Sequence, residues 1–343
     1  MTKRSVLMVV AKYPATHGHT TVINNLCIGL DKLGYHTAIG SFSFDKDPPF
    51  NIEKVKLSKS KLLTLGVKYL NFDIIHSHQS RVNYYLLSIK PTKPIVLHYH
   101  GASSKMQEIN FKISMRLYKN RISKIISVSN TGINQMKKMI GPVKAEVIYN
   151  GVDIDFYKPD LDKPYKKGNP QLLFVSALRE YKKTPLLVES MPEILKKYPD
   201  AHLQIVGDGE DFLKLKVLIK KKNLENKVEL TGKINNEELR MRYSSCDLYV
   251  SASTFEVCPV PTLEAMACGK PLVLYDIESH KEIVDVSKAG TVFSLSRNST
   301  IVNKIEEVYQ NKITFGNAAR KFAENHDWSS ICKQVAKVYE EIS

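Results

Sequence analysis

Two doubly wound, Rossmann-like α/β domains facing one another across a cleft are the architecture this chain predicts, on three observations. Short runs rich in β-branched residues alternate with longer helix-periodic stretches along all 343 residues. The short runs are apolar nearly throughout, as strands covered on both faces by helices are. A polar break punctuated by Pro and Gly divides the series into two halves of the same rhythm. Strand–helix alternation of this kind builds a parallel sheet with helices on both faces, here twice, and the length suffices for two cores.

Strands of the first half are expected at 5–10, 36–41, 73–76, 94–98, 123–128 and 145–148. Those of the second half are expected at 171–176, 201–206, 227–231, 246–251 and 271–275. Between them lie amphipathic helices such as 182–197, with Leu186, Leu187, Met191, Ile194 and Leu195 on one stripe. The break from Lys158 to Pro170 reads as a linker, setting the domains at 1–160 and 168–327. The tail 328–343 is a further helix, expected to pack back across the junction onto the first domain. Ligands of such folds bind outside the carboxyl ends of the strands, so function is sought in the loops that follow them.

Composition narrows the partners. No apolar run reaches the roughly 18 residues that span a bilayer. The Ser5–Val10 run reads as a buried first strand, with no small-residue cleavage site after it. The cysteines Cys27, Cys246, Cys258, Cys268 and Cys332 are odd in number and lack CxxC spacing, which argues against a disulfide framework or zinc site and fits a reducing cytoplasm. Of the formal charge of +15, residues 1–160 hold 23 basic against 10 acidic side chains and the remainder 27 against 25. A surplus confined to the first half suits an anionic substrate, an anionic membrane or nucleic acid. Nucleic acid accounts for the charge but for none of the loops, and no aromatic-basic platform accompanies it.

The loops carry the chemistry. After the first strand, Lys12-Tyr-Pro-Ala-Thr-His-Gly18-His19 opens a helix, where Gly18 either lets a phosphate approach the backbone N–H groups or serves as an ordinary turn. In the second half, Lys182 and Lys183 stand at a helix start, against the dipole. A charge-assisted contact to phosphate contributes about 1.5–3 kcal/mol against ~0.3–1 lost there, while plain solvation is the alternative. Glu256 and Glu264 bracket a Pro-rich turn, and Glu264 sits among Leu263, Ala265, Met266 and Ala267. A charge so placed needs a partner: the vicinal hydroxyls of a ribose, or nearby backbone N–H groups. The pairs His76/His78 and His98/His100 follow strands on one face each. His78 and His100 end their strands and suit hydrogen bonds to a sugar or phosphate, whereas His76 and His98 read as core. No acidic or thiol ligands accompany them, so no metal is expected there, nor at Asp153-Ile-Asp155.

Taken in order, these segments resemble glycosyltransferase family 4, retaining enzymes of the GT-B fold. Asp73-Ile-Ile-His-Ser-His78 is similar to the family's DVVHxH, Ile126-Ser-Val-Ser129 to its iavS strand, and Val147 to Pro159 to vIpNGVDxxxFxP. Leu203 to Gly209 is similar to LxivGdG, and Glu256 to Glu264 reproduces E-x7-E, followed by EAMAcGkPvV. The resemblance implies roles by position. Gly18 meets the donor diphosphate, Lys182 neutralises the departing phosphate, and the loop Cys258-Pro259-Val260 offers backbone N–H groups. Glu256 binds hydroxyls of the transferred sugar, Glu264 the ribose, and Ile234 packs near the base. His100 lies near the reacting sugar, with Tyr13 and His78 on the acceptor side. It further implies no metal or other cofactor, and front-face attack in which the phosphate itself takes the acceptor's proton. Three departures stand out: Ser176-Ala177 replaces the usual Gly-Arg, His17-Gly18 replaces Gly-Gly, and Glu278-Ser279 replaces Gly-Gly before Glu282.

The basic first half points to the acceptor. On a helix over 105–124, Lys105, Lys112, Arg116 and Lys119 fall within about 60° of one another. Phe111, Met115, Tyr118 and Ile122 are expected to form the apolar stripe beside them, with Met106, Ile109, Ile113 and Leu117 toward the core; the alternative puts Phe111 and Met115 in the core. A basic strip beside apolar residues suits an anionic membrane surface. The expectation is a hexosyltransferase using a nucleotide-diphosphate sugar and a lipid-linked or membrane-associated glycan, peripheral at the cytoplasmic face of the membrane. A non-catalytic nucleotide-sugar-binding subunit is the alternative that Ala177 leaves open.

Overall fold

A computed structural model describes residues 3–15, 18–49, 51–160, 162–296 and 300–342. The chain forms two compact units, Met1–Gly151 with Trp328–Ser343, and Val152–Asp327. The first contains β1 (Ser5–Tyr13), α1 (His19–Lys32), β2 (His36–Phe44), β3 (Glu53–Lys56), α2 (Lys59–Leu65) and β4 (Ile74–Ser77). It continues with α3 (Ser80–Leu86), β5 (Ile95–Tyr99), α4 (Lys105–Tyr118), β6 (Lys124–Ser127), α5 (Asn130–Ile140) and β7 (Glu146–Val147). The second unit contains β8 (Gln171–Val175), α6 (Thr184–Lys197), β9 (His202–Val206), α7 (Phe212–Lys221), β10 (Val228–Gly232), α8 (Asn236–Ser245) and β11 (Leu248–Ser251). Then come α9 (Val260–Ala267), β12 (Leu272–Tyr275), α10 (Glu278–Ser287), β13 (Gly290–Phe293), α11 (Ile301–Gln310) and α12 (Lys312–Glu324). The last helix, α13 (Trp328–Glu341), returns to the first unit.

Both sheets are parallel, and both repeat one winding. Their orders are β3-β2-β1-β4-β5-β6-β7 and β10-β9-β8-β11-β12-β13. In each, the direction of travel reverses beside the first strand, and that switch point is where loops part to receive a ligand. The central strands are buried on both faces: Val6 to Val10 of β1 are fully inaccessible, as are most of β8 and β11. This burial is why they read as unbroken apolar runs. The strands β3 and β13, which composition did not mark, are sheet edges. Half-exposed Glu-Lys-Val-Lys and Gly-Thr-Val-Phe carry no continuous apolar signal.

The unit boundary falls at Gly151, ahead of the polar 158–170 segment. That segment is docked on the second unit through Ser244 Oγ to the Lys158 carbonyl (3.1 Å) and Gln204 Nε2 to the Tyr165 carbonyl (2.8 Å). Helix α13 lies on α1, where a Cβ at Gly29 would come 2.3 Å from Cys332 Sγ. Tyr339 at its far end reaches His76 Nδ1 (2.6 Å). None of the five cysteines is in a disulfide.

The structure reverses the expected faces of α4. Phe111 and Met115 are 1% and 2% exposed, with Phe111 packed on Tyr99. Met106, Ile109, Ile113 and Leu117, assigned to the core by pattern, stand 66%, 49%, 45% and 58% exposed. Lys105, Lys112, Arg116 and Lys119 are exposed as well.

Candidate functional site

In the second unit the switch-point loops follow β8 and β11. The loop after β8 runs close against Gly207 and Gly209: a Cβ on Gly207 would sit 1.8 Å from the Ser176 carbonyl oxygen, at a φ of 131°. Only glycine permits that approach, which accounts for the Gly-Asp-Gly at the end of β9. The loop then makes one 3-10 turn, Glu180–Lys182, and begins α6 through Lys183 at φ 48°. The turn is stitched to the loop after β11 by Thr254, whose N–H and hydroxyl donate to the Tyr181 carbonyl (2.8 and 3.0 Å).

This stitching brings together two residues 74 positions apart. Lys182 Nζ meets Glu256 Oε1 at 2.5 Å, with the side chains 13% and 14% exposed. Each satisfies the other, and each is a charged end available to a ligand of opposite or hydroxylic character. Directly after Glu256, Pro259 caps α9, whose first turn holds no acidic side chain. Pro261 has no N–H and those of Thr262 and Leu263 bond the Pro259 carbonyl (3.2 and 3.4 Å), so the Val260 N–H and the positive end of the dipole are what this turn presents to an anion. Cys258, Pro259 and Val260 are partly exposed, as is Ile234, packed at the edge of the core formed by Tyr243, Tyr249 and Leu263. Ala177, in the place of the family's arginine, is an exposed loop residue.

Glu264 projects from the next turn of α9 and finds partners that the sequence reading missed. Tyr243 donates its hydroxyl to Oε2 at 2.9 Å, and Tyr157 donates a second phenol. Burial raises the carboxyl to about 7, and the two phenols pull in the opposite direction. His280 was also missed. It is buried, its Nδ1 is bonded to the Tyr275 carbonyl (2.7 Å), and its Nε2 has no partner among the described residues. Burial depresses its ionisation while the charge of Glu256 works the other way, so it stands neutral beside the ion pair. Only its place after the Glu278-Ser279 departure signals it in the sequence.

In the first unit the switch-point loops follow β1, β4 and β5. Gly18 caps α1 at φ 77° with no acid in the helix's first turn. His17, part of the expected Gly-Gly counterpart, lies outside the described residues. A cavity of 350 Å³ opens beside these strand ends, lined among others by Lys12, His78, Arg81, His100 and Met106. Lys12 is paired with Asp45 (2.6 Å), whereas Arg81 has no ion-pair partner among the described residues. Tyr13 is buried, gives its hydroxyl to Asn24 (3.0 Å) and does not line this cavity.

The histidines form a stack. Rings of His76 and His98 lie 5.2 Å apart at 7°, His76 and His78 4.5 Å at 26°, and His98 and His100 4.4 Å at 21°. Desolvation holds His76, His78 and His100 well below the ordinary imidazole value and His98 at about 3. All four are neutral near pH 7. Nitrogens of His76, His78 and His98 lie within 4.8 Å of one another. Stacked faces, however, set the in-plane lone pairs side by side, and His78 spends both nitrogens on His100 (2.9 Å) and Met8 (3.3 Å). Among the described residues, His76 Nε2 and both nitrogens of His98 have no hydrogen-bond partner. Asp153 is engaged, accepting from the N–H groups of Asp155 (3.2 Å) and Phe156 (2.9 Å) in a tight turn.

Comparison with known proteins agrees with this geometry. The profile described as "Glycosyl transferases group 1" matches residues 158–327, and that described as "Glycosyltransferase Family 4" matches 16–156. An uncharacterised glycosyltransferase of Methanocaldococcus jannaschii is 27% identical, covering 98% of each chain. Phosphatidyl-myo-inositol mannosyltransferase of Mycolicibacterium smegmatis is 24% identical over 80% of this chain and 72% of its own. The Anabaena protein HepE, solved with UDP and glucose, superposes with a TM-score of 0.81 at 19% identity, covering 98% of this chain and 100% of that one. Between them the two profiles take in both Rossmann-like units, and the chain belongs to the family 4 glycosyltransferases of the GT-B fold.

Proposed function

We propose that the chain is a retaining hexosyltransferase, moving a hexosyl group from UDP- or GDP-sugar to a lipid-linked or membrane-associated glycan. The observation that carries this reading is the Lys182–Glu256 pair beside the acid-free start of α9, with Glu264 one turn further on. Lys182 and the N–H groups of Cys258 and Val260 take the diphosphate, and fixed positive charge there stabilises it as the glycosidic bond breaks. Glu256, released from Lys182, accepts hydroxyls of the sugar, and Glu264 accepts those of the ribose, while Ile234 flanks the base. In the first unit, Gly18 presents the start of α1 to an anion, and His100 with His78 borders the acceptor cavity. The departing phosphate takes the acceptor's proton, so no metal or side-chain base is required. HepE, solved with UDP and glucose, supports a uridine donor first.

The α4 face supports a membrane-associated acceptor, as does the lipid headgroup in the name of the mycobacterial relative. No helix among the described residues is long and apolar enough to cross a membrane. Instead Met106, Ile109, Ile113 and Leu117 stand exposed next to Lys105, Lys112, Arg116 and Lys119, and Met106 also borders the cavity. Four cations contribute about 4 kcal/mol near an anionic leaflet, before any burial of the apolar side chains. The protein then works peripherally at the cytoplasmic face.

A thermal-shift screen of UDP-, GDP- and ADP-sugars tests the donor, since ligand at a hundredfold its Kd stabilises by about 2.7 kcal/mol. Turnover of the donor found that way separates an enzyme from a nucleotide-sugar-binding subunit, the second reading that Ala177 favours. In vesicle flotation the protein is expected with anionic and not neutral lipid, and Ile109→Asp/Ile113→Asp is expected to stay in solution. Equal recovery with both lipids overturns the membrane assignment.

A further inference from the structure

Two close contacts in series link a buried thioether to His100. Met8, in the centre of β1 and fully buried, places Sδ 3.3 Å from His78 Nε2. A thioether accepts hydrogen bonds and has no hydrogen to give. A bare Nε2 would set lone pair against lone pair, so the proton of His78 resides on Nε2. His78 is neutral in its buried site, and a neutral imidazole has one proton, which leaves its Nδ1 bare. That Nδ1 lies 2.9 Å from His100 Nε2, and the hydrogen joining them therefore comes from His100. His100, also neutral, is left with a bare Nδ1. Among the described residues nothing partners this Nδ1, and the ring lines the 350 Å³ cavity.

We propose that Met8 and His78 are positioning residues that hold His100 as its Nε2–H tautomer, so that it offers the cavity a hydrogen-bond acceptor. Such an edge takes the O–H of a sugar or acceptor hydroxyl and turns away phosphate oxygens, which need donors. The diphosphate thus belongs with Lys182 and the start of α9, and a hydroxyl belongs at His100. The catalytic consequence rests on the transferase reading above; the tautomer does not.

The experiment uses the full chain labelled with ¹⁵N-histidine, with two-bond ¹⁵N–¹H couplings reporting the protonated nitrogen of each ring and His100→Gln assigning its signals. The expected result is Nε2–H at both His78 and His100, and Nδ1–H at His100 in the wild type overturns the proposal whatever any variant does. Met8→Leu keeps the volume and removes the acceptor. It is expected to move His100 toward the Nδ1–H form and lower kcat roughly tenfold, with KM for the donor held within about twofold. A Met8→Leu protein with unchanged tautomer and unchanged kcat also overturns the positioning role. Wild-type protein that turns over no nucleotide sugar defeats the transferase reading and leaves the spectrum to decide the tautomer.

Discussion

The two sheets share one strand order, yet the polar groups at their carboxyl ends are buried by opposite means. Beside β4 and β5 the first unit stacks imidazoles that have given up their charge. Beside β8 and β11 the second unit keeps its charges and pairs them, Lys182 with Glu256, while Glu264 is held between two phenols. Neutral groups lose less than ions on leaving water and read hydroxyls by direction; paired ions cost more to bury and exchange partners when a charged ligand arrives. On the proposed roles, the first unit offers neutral hydrogen-bonding edges at its histidines, while the second offers a cation to the diphosphate and carboxylates to hydroxyls.

The contrast breaks most visibly in acid. His76, His78, His98 and His100 are depressed in the folded chain, so the unfolded chain binds protons first as pH falls below about 6.5. Their contribution to stability is complete above that value and lost as pH falls toward the folded values, about 3 for His98. Between pH 6.5 and 5.5 each group costs about 1 kcal/mol, or about 4 together. Trp328, the single tryptophan, packs on Gly151 in the first unit. Its fluorescence is expected to shift to a lower denaturant midpoint across this interval, and His98→Val to soften the slope by one proton. A midpoint steady down to the carboxylate range would mean that the histidines are not neutral together.

A smaller effect tests whether the ion pair of the second unit is functional or structural. Lys182→Ala removes the charge assigned to the leaving phosphate, and kcat is expected to fall by about 10²–10³. Glu256→Gln breaks the same salt bridge but leaves the cation, so its main effect is expected on KM for the donor, roughly tenfold. Steady-state kinetics on the two variants separates the roles. Equal losses of kcat in both would make the pair a fold contact.

Much of this was legible because the residues concerned are local. Central strands announce themselves by unbroken apolar runs, and both E-x7-E carboxylates and both strand-end histidines stand where loop positions predict. Partners supplied from afar were not legible. Tyr157 and Tyr243 reach Glu264 from other elements, and Tyr339 reaches His76 across 263 residues. The inversion of α4 has a similar cause. Its apolar residues make two stripes of comparable width, and periodicity alone does not choose between them. The choice is made by Tyr99, whose ring takes Phe111 at 4.8 Å, with the small Ser114 on the buried side letting the helix close down.

Glu264 gives the smallest effect and the sharpest contrast with the histidines. Its folded value of about 7 is raised above the ordinary carboxyl range, so the folded chain holds this proton more tightly than the unfolded one. Its contribution to stability is therefore lost as pH rises from about 4.5 to 7, the reverse of the imidazole stack. In its proposed role Glu264 accepts ribose hydroxyls as the ionised carboxylate, which is about nine-tenths populated at pH 8 and one-tenth at pH 6. Nucleoside affinity is expected to weaken about tenfold between those values, and the step to vanish in Glu264→Gln. Calorimetry with the nucleoside, rather than its diphosphate, keeps phosphate ionisation out of the measurement. An affinity independent of pH in the wild type would leave Glu264 to its two phenols as a packing group and move the ribose contact elsewhere in the second unit.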